Sequence, residues 1–162
     1  MDFERDQIID TRKSSGIIVR EIMSTPVITA GPNSSIKELA KKMKDHDVDT
    51  IIIINKENEP LGVVTEGDIV RRLLSKKRSL WFTQAKHVMS KPVYTITDEA
   101  EIEDVAKYMV AKKVKRLCVV DENNKVIGVV TQSDILENTN YLLGFLKELL
   151  EANSGELAEF TK

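Results

Sequence analysis

The chain has 162 residues, of which 41% are apolar and 31% charged, and its formal net charge is −2. That length supports one globular unit or two very small domains with a real core, and that charge gives no general attraction to nucleic acid or to an anionic membrane. No apolar run reaches the roughly 20 residues that span a bilayer. The acidic, polar start is unlike a secretory signal, and Cys118 as the single cysteine excludes an internal disulfide or a cysteine-based zinc cluster, so a reducing cytoplasm is the expected setting.

Residues 1–16 read as a polar arm. After it, Val19-Arg20-Glu21-Ile22-Met23-Ser24 forms a short helical turn closed by Thr25-Pro26, and Val27-Ile28-Thr29 is a short strand broken at Gly31-Pro32. Ser35-Ile36-Lys37-Glu38 is a capping box, after which Ile36, Leu39, Ala40 and Met43 give one apolar helix face. The β-branched run Thr50 to Ile54 predicts a strand buried on both faces. A polar turn at 55–60 leads to a second strand, Leu61 to Val64, so the two runs form a hairpin. A helix carrying Ile69, Val70, Leu73 and Leu74 starts at Thr65.

The same series then recurs. Shifted by 66 positions, residues 22–70 fall on 88–136 without a gap, with seventeen identities in forty-nine aligned positions. Met23, Ser24, Pro26 and Val27 meet Met89, Ser90, Pro92 and Val93, and Gly62-Val63-Val64-Thr65 meets Gly128-Val129-Val130-Thr131. A chain that repeats in this way is a duplication. A single copy of about 50 residues buries too little surface to be stable alone. The two are therefore expected to pack through their strands, helices outside, with a symmetric pair of clefts between them.

The domain reading is an arm at 1–16, a first copy at 17–77, a linker at 78–86, a second copy at 87–137, and a helix and tail at 138–162. The linker region is basic, with Arg71, Arg72, Lys76, Lys77, Arg78, Lys86 and Lys91 and no acid between residues 69 and 97. It reads as a solvated face and loop, or as a patch that draws in an anionic partner. Trp81-Phe82 within it reads as a core anchor or as a contact for another chain, the anchor being the preferred reading. Leu142, Phe145, Leu146, Leu149 and Leu150 form a stripe suited to self-association.

The chemistry is concentrated at Thr65-Glu66-Gly67-Asp68 and Thr131-Gln132-Ser133-Asp134, where a strand ends in Thr and a helix begins. Thr as N-cap and Asp in the first turn explain each junction as a cap worth about 1 kcal/mol. Recurrence in both copies, beside Gly62 and Gly128, gives a second reading. A helix N-terminus attracts phosphate and a neighbouring carboxylate can accept both hydroxyls of a ribose, so each junction can cradle a nucleoside phosphate. The copies differ: Lys115 and Arg116 stand at the start of the second hairpin where the first has Asp49 and Thr50. A phosphate-bearing ligand is expected to prefer the cleft with the two cations.

Val19 to Val27, Lys86 to Val93, Lys115 to Asp121 and both Gly-x-x-Thr-x-x-Asp junctions resemble a tandem pair of cystathionine-β-synthase (CBS) domains, a Bateman module, over about residues 17–137. The resemblance implies an α/β chain of two βαββα repeats packed through their sheets with pseudo-two-fold symmetry. It also implies two clefts, dimerisation of two pairs into a disc, and adenosine-containing ligands such as AMP, ADP, ATP or S-adenosylmethionine, with no obligate cofactor. By position, one cleft uses Thr131 and Asp134 on ribose and phosphate and Lys115 and Arg116 on phosphate, with Ile17, Ile22, Val48 and Asp49 around the base. The other uses Thr65 and Asp68, with Val88 and Val114 around the base, while Asp49 and Thr50 stand where the family often has a cation or small residue.

No Ser/His/Asp or Cys/His constellation, metal-ligand spacing or Walker-type glycine loop is evident, and Cys118 reads as a buried apolar residue. The expected function is a non-catalytic sensor, a homodimer that binds an adenine nucleotide or related small molecule and relays this to a regulated protein. A dimerisation or docking scaffold with empty clefts is the alternative. Nucleic-acid binding through the basic linker lacks a reader motif.

Overall fold

The computed structural model describes residues 16–138. Its β-branched runs form two three-stranded sheets. In the first, β1 (Thr29–Ala30), β2 (Thr50–Ile54) and β3 (Pro60–Thr65) lie side by side, β1 parallel to β2 and β2 antiparallel to β3. In the second, β4 (Thr95–Thr97), β5 (Arg116–Val120) and β6 (Val126–Thr131) repeat that order and those directions. Register repeats as well: Thr50 opposes Thr65 and Arg116 opposes Thr131, and each hairpin shifts register at its far end, between Ile53 and Ile54 and between Val119 and Val120.

The helices are α1 (Val19–Ile22), α2 (Ile36–His46), α3 (Glu66–Asp68), which continues into a π-helical stretch Ile69–Leu74, and α4 (Ile102–Lys112); residues 132–138 are also helical. The Ser35 hydroxyl accepts the Glu38 N–H at 3.2 Å and so starts α2. Its buried stripe, Ile36, Leu39 and Met43, covers the first sheet with Ile51, Ile53 and Val64. α4 does the same for the second sheet through Val105 and Met109, against Leu117, Val119 and Val130. The opposite sheet faces meet each other through Ile52, Cys118, Val120 and Val126. The chain is thus an α/β pair of βαββα repeats packed through their sheets.

The repeats are not packed as two closed balls. Val19, Ile22 and Met23 belong to the core of the second sheet, and the head segment is fixed there by Val19 N–H to the Ala100 carbonyl at 2.9 Å and Arg20 N–H to the Asp98 carbonyl at 2.8 Å. Reciprocally, Ala85 and Val88 belong to the first core, held by Ala85 N–H to the Ser34 carbonyl at 2.8 Å. Two short antiparallel bridges complete the exchange. Ser24 pairs with Val129, with hydrogen bonds of 2.8 and 3.2 Å, and Ser90 pairs with Val63, with bonds of 2.8 and 3.1 Å. These bridges explain the two matched glycines. A Cβ at Gly128 would lie 2.5 Å from Met23 Sδ, and one at Gly62 would lie 2.3 Å from Met89 Sδ.

Two sequence expectations are corrected. Trp81 and Phe82 are not a core anchor: they are 63% and 87% exposed. The backbone of 79–85 is instead tied down by Thr83 N–H to Ser79, Ile36 N–H to Thr83 and Ala85 N–H to Ser34, leaving the rings outside, with Lys37 Nζ 3.5 Å from the Trp81 ring centre. The first strand starts at Thr29 rather than Val27, because Val27 turns into the layer between the sheets. Cys118 is buried as expected, and burial pushes its thiol up to about 12, which makes it unreactive. The expected apolar helix around Leu142 to Leu150 lies outside the described residues.

Candidate functional site

The sheet-to-sheet packing leaves a cleft of about 850 Å³ lined by both repeats. That volume is in the range of small-molecule sites. The first repeat supplies an apolar wall of Pro26, Val27, Ile28, Val48, Ile52 and Ile69; the second supplies Val129, Arg116 and Thr131. Asp49, Thr50, Glu66, Lys44 and Asp47 add polar groups. The Ser24–Val129 bridge contributes to its lining, so the exchanged head segment helps to shape the cleft.

Both strand-to-helix junctions take the capped geometry. Asp134 Oδ2 accepts from Thr131 N at 2.7 Å and from Thr131 Oγ1 at 2.8 Å, while Thr131 Oγ1 accepts the Asp134 N–H at 3.3 Å. Thr65 and Asp68 make the same three bonds, at 3.0, 2.9 and 3.1 Å. What separates the junctions is the second carboxylate oxygen. Asp68 is 4% exposed, its Oδ1 accepts from Ser90 Oγ at 3.3 Å, and Arg72 Nε lies 3.5 Å away. Arg72 is itself locked by bonds to the Val88 and Met89 carbonyls at 2.8 and 2.9 Å and to Ser90 Oγ at 2.9 Å. The position matching Arg72 in the second repeat is Asn138, whose amide caps the Asp134 backbone carbonyl at 2.7 Å. Among the described residues, nothing hydrogen-bonds Asp134 Oδ1. The Asp68 carboxylate is internally satisfied; the Asp134 carboxylate keeps an acceptor behind Thr131.

The base sides differ too. Ile28 lines the 850 Å³ cleft, whereas its repeat counterpart Tyr94 packs edge-on against Tyr108, with ring centres 6.3 Å apart.

The cations named from the sequence are placed unequally. Lys115 is exposed and outside the cleft lining; its carbonyl receives the Gln132 N–H at 2.9 Å. Arg116 lines the cleft but is already engaged. Its guanidinium forks onto both carboxylate oxygens of Asp49, with Nη2 to Oδ2 at 2.9 Å, and also donates to Thr50 Oγ1. The Thr50 hydroxyl in turn donates to Asp49 at 2.9 Å. The Arg116 hydrogen bond holds the Asp49 carboxyl below its ordinary range.

Of the twelve residues named from sequence, Thr131, Arg116, Val48 and Asp49 therefore line one cavity, with Asp134 one hydrogen bond behind it. Ile22 and Val114 pack on the second core, Val88 is fully buried in the first, and Ile17 is half-buried, its carbonyl accepting the Ile102 N–H at 3.2 Å. Thr65 and Asp68 form their own closed junction. Ser24, Pro26, Ile28 and Glu66 were missed as lining residues. The repeat already marked Ser24 and Pro26 through their identical partners Ser90 and Pro92, but Ile28 and Glu66 vary between copies and gave no such signal.

Residues 19–75 and 85–140 each match the CBS domain family. An uncharacterized protein of Methanopyrus kandleri is 36% identical over 141 residues, covering 87% of this chain and 72% of that protein. Among solved structures, the CBS domain pair of protein MJ0100, in complex with 5′-methylthioadenosine and S-adenosyl-L-methionine, is 29% identical with a TM-score of 0.68, covering 76% of this chain and 96% of that one. A CBS domain protein of Pyrobaculum aerophilum complexed with AMP shares the fold with a TM-score of 0.71 at 22% identity, covering 81% and 99%.

Proposed function

The chain belongs to the CBS domain family, and from that membership we propose that it is a non-catalytic sensor binding an adenosine-containing ligand in the cleft between its repeats. The observation that carries the reading is the asymmetry of the two junctions. Asp134 stands one hydrogen bond behind Thr131, which lines a cleft with an apolar wall, and no described residue hydrogen-bonds its Oδ1, while Asp68 is filled by Arg72 and Ser90. A ribose hydroxyl donates to Asp134 Oδ1, and the adenine lies against Pro26, Ile28 and Val48. The complex of the MJ0100 domain pair with two adenosine derivatives supports this ligand class.

The cleft is walled by residues of both repeats, so a ligand that prefers one spacing of the sheets biases their relative position. That bias is what a regulated partner reads, and a homodimer of such pairs gives it a surface to act through. Candidate ligands are AMP, ADP, ATP and S-adenosylmethionine, together with the phosphate-free nucleosides. A thermal-shift screen across these compounds tests the class. At 100 times its dissociation constant, a ligand bound only by the folded state adds about 2.7 kcal/mol, or a rise of about 5–10 °C for a chain of this size. Melting unaffected by every adenosine compound at millimolar concentration would leave the empty-cleft scaffold as the better reading.

A further inference from the structure

Among the described residues, the one arginine of the cleft lining, Arg116, is already engaged and so is not available to a phosphate. Arg116 lies directly across the β5–β6 pair from Thr131, so whatever a nucleoside held at Thr131 carries toward that strand meets the Arg116 guanidinium. That guanidinium is filled by the Asp49 fork and by Thr50. The remaining charges of the lining do not replace it. Among the described residues the lining carries Asp47, Asp49 and Glu66 against Lys44 and Arg116, an excess of one negative charge.

We propose that Asp49 is a specificity residue that makes this cleft select adenosine ligands neutral or cationic at the 5′ position over 5′-phosphates, by keeping Arg116 in a carboxylate fork. This deepens the adenosine reading and rests on it. A phosphate that enters must displace Asp49 from Arg116. The fork itself is a modest obstacle, because the Asp49 side chain is 60% exposed. The larger effect is what remains afterwards. The freed Asp49 carboxylate stays in the cleft with the phosphate dianion, with Glu66 on the same lining, and a like charge about 5 Å away weakens binding by about tenfold or more at an intermediate dielectric. A ligand ending in a hydroxyl, thioether or sulfonium leaves the fork intact, and a sulfonium is drawn by the net negative lining.

Adenosine and AMP differ only by the phosphate, so titration calorimetry of both against the parent, Asp49→Asn and Asp49→Glu is the test. The parent is expected to bind adenosine at least about tenfold more tightly than AMP. Asp49→Asn removes the competing charge and is expected to raise the affinity for AMP relative to adenosine by about tenfold, whatever it does to adenosine itself; Asp49→Glu keeps the charge and keeps the parent's preference. AMP bound as tightly as adenosine by the parent, or AMP affinity relative to adenosine unmoved by Asp49→Asn, overturns the selectivity while leaving the adenosine site standing. Failure of every variant to bind either compound overturns the adenosine reading itself, and the selectivity with it.

Discussion

Asp68 and Asp134 occupy matching positions in a duplicated sequence, yet their replacement by alanine should have opposite consequences. Asp134→Ala removes two hydrogen bonds, from Thr131 N and Thr131 Oγ1, and leaves the Thr131 cap on the helix. That is a loss of about 1 kcal/mol. Asp68→Ala removes the equivalent two and also strips Ser90 Oγ and Arg72 of their carboxylate in a site that is 4% exposed. Breaking a fully buried pair by deleting one partner costs about 3–5 kcal/mol. Arg72, however, is 42% exposed and keeps its bonds to Val88, Met89 and Ser90, so the total comes to about 2–3 kcal/mol. For a chain of this length each kcal/mol moves the melting temperature by about 2–4 °C. Ligand-free thermal unfolding followed by circular dichroism should therefore place Asp134→Ala about 2–4 °C below the parent and Asp68→Ala about 4–12 °C below it. Equal shifts, or a larger one for Asp134→Ala, would refute the division into a structural and a ligand-facing carboxylate.

The glycine contacts make a second prediction, readable in urea. Gly128→Ala must push aside Met23 Sδ, a flexible chain end, for about 1–2 kcal/mol, while Gly62→Ala also meets Met89 Cβ at 3.0 Å and costs about 2–3 kcal/mol. In a Met23→Ala background at least half of the Gly128→Ala cost should vanish; strict additivity would show that the two do not touch. Acid gives the third prediction. Arg20 holds Asp98 below its ordinary range, Asn55 and Lys125 do the same to Glu59, and Arg116 to Asp49. Each therefore binds protons more readily when unfolded, so its stabilisation is complete above the ordinary carboxylate values of 3.8 and 4.5 and is lost as pH falls through the lower folded values. Melting temperature should drop as pH falls below about 4, and Asp98→Asn should flatten part of that acid limb; an unchanged limb would show that the Arg20 pairing contributes nothing.

Local patterning carried most of the fold. The 66-residue offset carried the first copy's hairpin over to the second, and the β-branched runs and the Ser35 cap placed β2, β3 and the start of α2 to within a residue or two. Contacts between the copies were less legible, because no local period encodes them. Met23 against Gly128 and Met89 against Gly62 are visible in sequence only as repeated identities, and nothing in a single copy shows that its head segment is cored in the other. Charge was the least legible. Arg116 and Lys115 read from sequence as two free cations, but Asp49, 67 positions away from Arg116, meets it across the interface of the repeats. Arg72 read as part of a basic stretch, and one helical turn after Asp68 it instead lies beside that carboxylate. The exposed Trp81 and Phe82 show the same limit. Their size argued for burial, while the backbone bonds of 79–85 decided otherwise.

In the proposed complex the Asp134 carboxylate holds the ribose of an adenosine ligand in the cleft between the repeats. Titration calorimetry of adenosine against the parent and Asp134→Ala tests it most directly. One binding event per chain is expected for the parent, with affinity reduced by about tenfold to a hundredfold in Asp134→Ala, as befits loss of hydrogen bonds to a charged acceptor. Asp68→Ala should stay within about threefold of the parent. Equal affinity for parent and Asp134→Ala, or two equivalent events per chain, would contradict it.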